Sequence, residues 1–467
     1  MDIYQDRLLK QGQQILKGIA PGNDATQLQK LLNQLIHYQL RVRGITSIGI
    51  PSDSPFFNSQ TTLPSLDLAA EIDYRLALLA SYQLSKPKRI VKTLMAGLQI
   101  EKPPQFTQLQ IRLLTEMHQD SRVGTVNLSK TLHVSPRTIN QQKHELLSAF
   151  GARTAAVIDP HRFGLVHVGV WFRANSPEAS QSIEHWIFQE AHLNGALPFL
   201  HGFGFDVNQQ NGLLMLYLPD ERRVLTQFNQ TLEKLADSHL ESYEIIPFQG
   251  FFSNVNFNTY DYVSQQWQIT SDLRTEGTRR FIEEYGPQFP PPRGSLYQKK
   301  PLAFTQADWI LALSICEGLV DRKDRQHIIA SHGFPFANKT GWAHEHRLEN
   351  AQAYIRYLTF SNLLFAEIIC IIVVCETSMV DFFHQFSTQF AMSRLMPTPE
   401  GVVVFIGIPT QASSFINQLI HTLIDIPGLR NIDFLRLKRN LPSTPPIHTF
   451  HLWNPSPKRW SYPKYDD

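Results

Sequence analysis

Val166–Ala191 reads VHVGVWFRANSPEASQSIEHWIFQEA, a strand followed by a helix entered at Pro177. Downstream come two strands, PFLHGFGFDV from Pro198 and GLLMLYLP from Gly212. A helix, ERRVLTQFNQTLEKLADS from Glu221, and a last strand, LESYEIIPFQGFF from Leu240, complete the segment. The order is βαββαβ. It predicts a four-stranded antiparallel sheet with both helices on one face, because each helix must bury its apolar stripe against the sheet.

The same six elements recur later in similar lengths. They read AEIICIIVVCET from Ala366, SMVDFFHQFSTQF from Ser378, AMSRLMP from Ala391, GVVVFIGIP from Gly401, ASSFINQLIHTLID from Ala412 and LRNIDFLRLKRN from Leu429. The repeat also extends upstream. FTQLQIRLLTEM begins at Phe106 and FTQADWILALSI at Phe304, and each opens a run of three short helices. Repeated order of this kind marks a repeated architecture.

The first three-helix run contains VNLSKTLHVSPRTINQQKHELLSAFG, Val126–Gly151. Ser135 is a natural N-cap, and Pro136 stands where its missing N–H costs nothing. At helical spacing Arg137, Asn140, Gln141, His144 and Ser148 share one stripe, while Ile139, Leu146 and Phe150 lie opposite. Arg can bridge guanine, and Asn or Gln can pair with adenine, in a major groove. That stripe carries no acid. From Pro104 to Thr154 six basic residues (Arg112, Arg122, Lys130, Arg137, Lys143, Arg153) face three acids (Glu116, Asp120, Glu145). The expected DNA-contacting residues are Lys130, Ser135, Arg137, Thr138, Asn140, Gln141, Lys143, His144 and Arg153. In the second copy, helix Ala337–Gln352 shares its surface with Glu345 and Glu349, and the surrounding charge is balanced.

The chain is 467 residues with formal net charge +2, so any basic footprint is local. Its 3 cysteines, Cys316, Cys370 and Cys375, read as reduced core residues, with neither a disulfide scaffold nor a zinc site. The longest apolar run, Leu363–Cys375, is too short for a membrane helix and contains Glu367. The N-terminus lacks the apolar core of a signal peptide. A cytoplasmic protein without membrane association is expected. Tyr285–Pro301, with its Pro triplet, predicts an extended, stiff linker.

The predicted fold class is α+β: a winged helix-turn-helix plus a ferredoxin-like βαββαβ domain, occurring twice, with a helical N-terminal extension. The expected boundaries are 1–100 for the extension, 104–160 and 161–255 for the first pair, and 256–301 for the linker. The second pair spans 302–362 and 363–442, and a tail covers 443–467.

LSKTLHVSPRTINQQKHELLSAFGARTAAVIDPHRFGL, with LYLPDERRVLTQFNQTLEKLADSHLESYEII and IDIPGLRNIDFLRLKRN, resembles the Lrp/AsnC (feast/famine) transcription regulators. The likeness covers Phe106–Ser253 and Phe304–Leu441. It implies sequence-specific binding of double-stranded DNA and sheet-against-sheet pairing of effector domains. Here that pairing is expected within the chain, with a homodimer between chains. It also implies a small effector such as an amino acid, for which Gly202, Gly204 and Asp206 are the candidate residues. The chain departs from the family in its fusion, in its N-terminal extension, and in RLMPTPEG, which lacks the Gly/Asp set in the second copy.

No HExxH, P-loop, CxxC or GxSxG motif is present, so no enzyme and no cofactor is expected. Two alternatives stand beside the regulator. One is an interaction scaffold that binds no DNA. The other is a tetrapyrrole-binding enzyme resembling the haem-biosynthesis decarboxylases of the same two-domain plan. There His167, His201, Arg173 and Arg394 would be recruited.

Overall fold

The structure is a computed structural model. It describes residues 3–461 apart from 43–44, 46–65, 97, 99–104, 122, 193–196, 198, 207–209, 262, 265, 270–292, 299, 335–337, 361–364, 377, 410–418, 421–422, 425–428, 438–446 and 457. The Pro triplet of the expected linker, and most of the helix expected after Ala412, lie outside the described residues.

The protein mixes helix and sheet. In the first half, β2 (Leu165–Ala174), β3 (Leu200–Phe205), β4 (Asn211–Pro219) and β5 (Leu240–Phe248) form one sheet in the order β3-β4-β2-β5. Every pairing is antiparallel. Val168, Val170, Phe172, Leu214, Leu216 and Leu218 point to one face, where helices Pro177–His192 and Arg222–His239 cover them. This follows from the two-residue period of a strand.

The second half has β11 (Phe365–Cys375), β12 (Met392–Thr398), β13 (Gly401–Pro409) and β14 (Leu429–Leu437). Two further strands, β6 (Gly250–Val255) and β9 (Arg293–Leu296), extend it into the order β14-β11-β13-β12-β6-β9. The uncovered faces of the two sheets meet. Leu213, Met215, Ile246 and Phe248 pack there with Cys370, Met396, Val403, Phe405 and Leu435. Beside them β1 (Arg153–Ile158) pairs antiparallel with β10 (Tyr354–Thr359). Residues 363–375, the longest apolar run, are strand wherever they are described, and their side chains alternate. Cys370 lies between the sheets and Cys375 beneath the helix face. All three cysteines are free and buried.

The two three-helix runs have different surroundings. Helices Gln108–Gln119, Thr125–Leu132 and Pro136–Phe150 enclose Leu113, Leu114, Leu128, Leu132, Ile139, Leu146 and Phe150. In the second half, helix Gln306–Glu317 is buried on every side. Trp309, Ile310 and Leu313 join one core with Leu8, Leu28, Leu32, Leu35, Ile72 and Leu76 of the N-terminal helices. The C-terminal segment closes this core. Trp309 Nε1 donates to Thr449 Oγ1 at 2.8 Å and Trp460 Nε1 to Phe163 O at 2.7 Å. Among the described residues no helix is long and apolar enough to cross a membrane.

Candidate active site

His167 lies on β2 among Val166, Val168 and Val170, on the face turned away from the covering helices. Its cross-strand partners are Tyr217 on β4 and Phe248 on β5. On the next strand His201 occupies a register irregularity between Leu200 and Gly202. The four rings therefore form a row across one sheet: His201, Tyr217, His167, Phe248. His201 stacks on Tyr217 with centroids 4.5 Å apart, and the His167 ring lies 4.6 Å from that of Phe248. Phe248 also fills the space above Gly169, where an added Cβ would come within 2.7 Å of its ring.

Hydrogen bonds run along this row. Tyr297, beyond the end of β9, places its hydroxyl 2.8 Å from His167 Nδ1. His167 Nε2 lies 2.8 Å from His201 Nε2. Two facing imidazole nitrogens need one proton between them. Two assignments of opposite direction satisfy the chain, and in one of them the phenol is the first donor. In that one Tyr297 O–H donates to His167 Nδ1, His167 Nε2–H donates to His201 Nε2, and His201 Nδ1 carries its own proton. His201 Nδ1 has no partner, although it is fully enclosed, and neither does the Tyr217 hydroxyl beside it. A buried polar atom without a protein partner is costly, and two of them side by side make this row a candidate for contact with water or a ligand.

Burial keeps the row uncharged. It pushes His201 down to about 3. It holds His167 well below the usual imidazole range, with His201 and His161 adding to the effect. Burial likewise raises Tyr217 and Tyr297. Neutral imidazoles that pass a proton without acquiring net charge are suited to general acid–base work in a dry site. Among the described residues no group of three or more His, Cys, Asp or Glu could hold a metal ion.

Of the two arginines grouped with these histidines, Arg173 is on β2 but six residues along, roughly 20 Å away at strand rise. It is exposed and paired with Glu241 at 3.0 Å. Arg394 is on β12, half-buried on the face between the sheets. Its guanidinium lies 5.5 Å from the Tyr357 ring centroid, and its Nε has no partner. Tyr217 and Tyr297 were not singled out in the sequence. Tyr217 carried one signal, a phenol in the middle of the apolar strand GLLMLYLP. Tyr297 lies in what reads as a linker.

The residues expected to touch DNA are placed as follows. Ser135 caps its helix, accepting from Thr138 N at 3.1 Å and lying 2.9 Å from Thr138 Oγ1. Lys130, Arg137, Asn140, Gln141 and His144 are exposed. Thr125 Oγ1 lies 3.1 Å from Asn140 Oδ1. Gln141 donates to Glu145 at 2.9 Å, so an acid does border the stripe. Lys143 is half-buried, and burial lowers it. Arg153 turns inward, donating to Glu317 O at 2.9 Å and Gly151 O at 3.0 Å. Of the expected effector residues, Gly202 and Gly204 lie within β3. Asp206 is buried, and it accepts from Gln210 N at 2.9 Å and Asn211 Nδ2 at 2.9 Å. That carboxylate closes the turn into β4.

No known protein family and no curated protein matches this sequence. Solved structures with a similar fold include the siroheme decarboxylase NirDL, 10% identical, covering 71% of this chain and 93% of its own, with a TM-score of 0.41. The same enzyme with an iron-uroporphyrin III analogue gives a TM-score of 0.42 over 71% of this chain and 92% of its own. A transcriptional regulatory protein of the AsnC family from Pyrococcus furiosus is 18% identical, covering 30% of this chain and 88% of its own, with a TM-score of 0.23. The regulator resemblance is thus one of fold. The expectation that the chain is not an enzyme is corrected: solved structures covering 71% of it include those of a siroheme decarboxylase, a likeness of fold. A search for contiguous catalytic motifs could not find a site made by His167, His201 and Tyr297, which only the folded sheets bring together.

Proposed function

We propose that this chain is an enzyme that protonates a carbon as it loses carbon dioxide, with a carboxylated tetrapyrrole as its substrate. The observation that carries the reading is the row Tyr297–His167–His201, a complete hydrogen-bond chain ending in the unpartnered buried His201 Nδ1, a donor when the protons run from Tyr297. Decarboxylation needs one such donor. The C–COO bond breaks, CO2 leaves, and the electron pair left on carbon takes a proton, so no oxidant is required. His201 Nδ1 supplies that proton, His201 Nε2 takes one from His167 Nε2, and His167 Nδ1 takes one from Tyr297. Burial makes a tyrosinate unfavourable, so the last transfer occurs together with uptake at Tyr297 of one proton from solvent, the proton that the overall reaction consumes. Arg394, with its unpartnered Nε, suits a substrate carboxylate. The substrate class is that of the enzyme named above and of the decarboxylase resemblance.

The test adds an iron-bound, carboxylated porphyrinoid to the purified chain without oxygen. The visible spectrum reports binding, and product mass reports loss of CO2. The expected result is a shifted absorbance and a product lighter by one or more CO2, with His201→Ala binding but not converting. A substrate that neither shifts its spectrum nor loses CO2 overturns the proposal.

A second reading rests on one specific observation. Helix Pro136–Phe150 leaves Arg137, Asn140, Gln141 and His144 exposed while its other face is buried. We propose that this helix retains double-stranded DNA binding. Arg137→Ala with Gln141→Ala then lowers DNA affinity and leaves the melting temperature nearly unchanged. Unaltered binding overturns it.

A further inference from the structure

Tyr297 reaches His167 from outside the sheet that carries the two histidines. It follows β9, which pairs with β6 from Gly250↔Leu296 to Ser253↔Arg293. Gly294 permits this seat, because a Cβ there would stand 2.0 Å from Phe251 O. Tyr297 N–H then donates to Gln249 O at 2.8 Å. The next residue is tied elsewhere: Gln298 N–H donates to Asp159 Oδ2 at 2.6 Å. Asp159 is 1% exposed. Its other oxygen accepts from His161 N at 3.1 Å, and its own N–H donates to Ala353 O at 2.9 Å. One residue thus joins the end of β1, the start of β10 and the segment that delivers the tyrosine, through its backbone N–H to the second and its carboxylate to the third. Both carboxylate oxygens accept from backbone, a set an amide cannot reproduce.

We propose that Asp159 is a positioning residue for the proton row: by holding Gln298 N–H it keeps the Tyr297 hydroxyl on His167 Nδ1. The proposal rests on the reading of the row as a proton relay, but it is measurable without turnover. Burial pushes Asp159 up to about 6, against the Gln298 amide, the Arg162 guanidinium and the Arg162 and His161 amides, which favour its charge. The other titratable groups nearby are the Tyr297 and Tyr217 phenols, on which Asp159 acts as a like charge, and the half-buried His161 ring, 6.0 Å from Tyr297. His161, His167 and His201 are all held below the ordinary imidazole range by burial. A change sensed at His167 near pH 6 belongs to the carboxyl when it persists in His161→Gln.

The experiment labels histidine ring nitrogens in the full chain and follows the His167 resonances by NMR. Tyr297→Phe should shift them, Asp159→Asn should shift them in the same direction, and the double variant should go no further than Tyr297→Phe. The unmodified protein should show a transition centred at about pH 6 that Asp159→Asn abolishes. A His167 signal indifferent to Asp159→Asn, or shifts that add in the double variant, overturns the proposal. If Asp159→Asn fails to fold, the titration of His161→Gln decides, and no transition near that pH overturns it. With a converted substrate, Asp159→Asn should lower kcat roughly tenfold and leave KM within about twofold. Loss of decarboxylation altogether, with the NMR result intact, would count against the enzyme reading alone.

Discussion

The two halves share a strand order but not a chemistry. In the first, β3-β4-β2-β5 carries His201, Tyr217, His167 and Phe248 across one face. In the second, β12-β13-β11-β14 offers the same places. Counting back two residues from Pro219 and from Pro409 reaches Tyr217 and Gly407. Gly407 pairs with Ile368 and Met392, and Ile368 pairs with Leu437. That row contains nothing that can hold a proton. The helical runs differ as well. The first leaves the polar face of Pro136–Phe150 exposed, while the second has its helix Gln306–Glu317 sealed beneath the N-terminal helices and the C-terminal aromatics. Topology supplies places, and a few side chains decide which places do chemistry. The row is buried from two directions: Phe248 packs with Val403 and Phe405 of the second sheet, and Tyr217 joins the core of Leu76, Trp309 and Trp460.

The sharpest way to break this comparison is to exchange the rows. His201→Phe should reduce decarboxylation about 10²–10⁴-fold, the range for a lost proton donor. Ile368→His in the second half should leave turnover unchanged, because no Tyr or second His meets it there. Equal sensitivity of the two sites, measured as product per chain, would remove the asymmetry. The next largest effect is on stability. Trp309→Ala should cost about 3–5 kcal/mol in chemical denaturation, since that side chain is fully enclosed. Arg137→Ala, on the exposed helix of the other half, should stay within about 0.5 kcal/mol.

The sheets were legible in the sequence because strand and helix periods leave direct traces. Val168, Val170 and Phe172 alternate with His167, Gly169 and Trp171, and the structure sends the two sets to opposite faces. The site was legible only in fragments. His167 and His201 stand out as polar residues in apolar strands, but the bond between their Nε2 atoms spans 34 positions. It depends on the irregularity at Leu200/Gly202, which no periodicity announces. Tyr297 was invisible for a different reason. It follows a Pro-rich stretch that reads as spacer, and its place is set by Gly294 and by Asp159, which lies 139 positions from the Gln298 it holds. Asp159 itself lies within the stretch AVIDPHRFGL that carries the family resemblance, with no role assigned to it. The burial of helix Gln306–Glu317 had a trace in its apolar run WILAL, Trp309–Leu313. What would cover that run had none.

A smaller effect distinguishes the halves by pH. His201 is held at about 3 in the folded chain against an ordinary value of 6.5, and His167 is lowered too. The unfolded chain therefore takes up these protons first. Stability is unaffected above that ordinary value and is lost as pH falls from it toward 3, on the order of a few kcal/mol. Asp159 has the opposite sign. Its folded value is raised, so it recovers some stability as pH falls through about 6. His201→Gln should flatten the acid limb of a plot of melting temperature against pH. Ile368→Gln, at the silent row, should leave that slope unaltered and lower the whole curve.

The smallest expected effect concerns the exposed helix. Gln141 and Gln142 donate to the two oxygens of Glu145, at 2.9 and 2.8 Å. This carboxylate engages one of the amides that would read a base, and it would face phosphate if the helix entered a groove. Glu145→Gln removes that repulsion while keeping a side chain of the same size. It should tighten binding to double-stranded DNA roughly three- to tenfold at low salt, with the gain shrinking as salt rises. The corresponding acid of the second half gives the contrast. Glu345 is paired with Arg325 at 3.1 Å in a network that Arg356 and Glu349 complete. Glu345→Gln should therefore loosen the fold without changing DNA affinity, because its carboxylate is turned to Arg325 and not to a groove. Fluorescence anisotropy of labelled duplex DNA against both variants measures the difference. Equal responses would show that the exposed helix of the first half has no special relation to DNA.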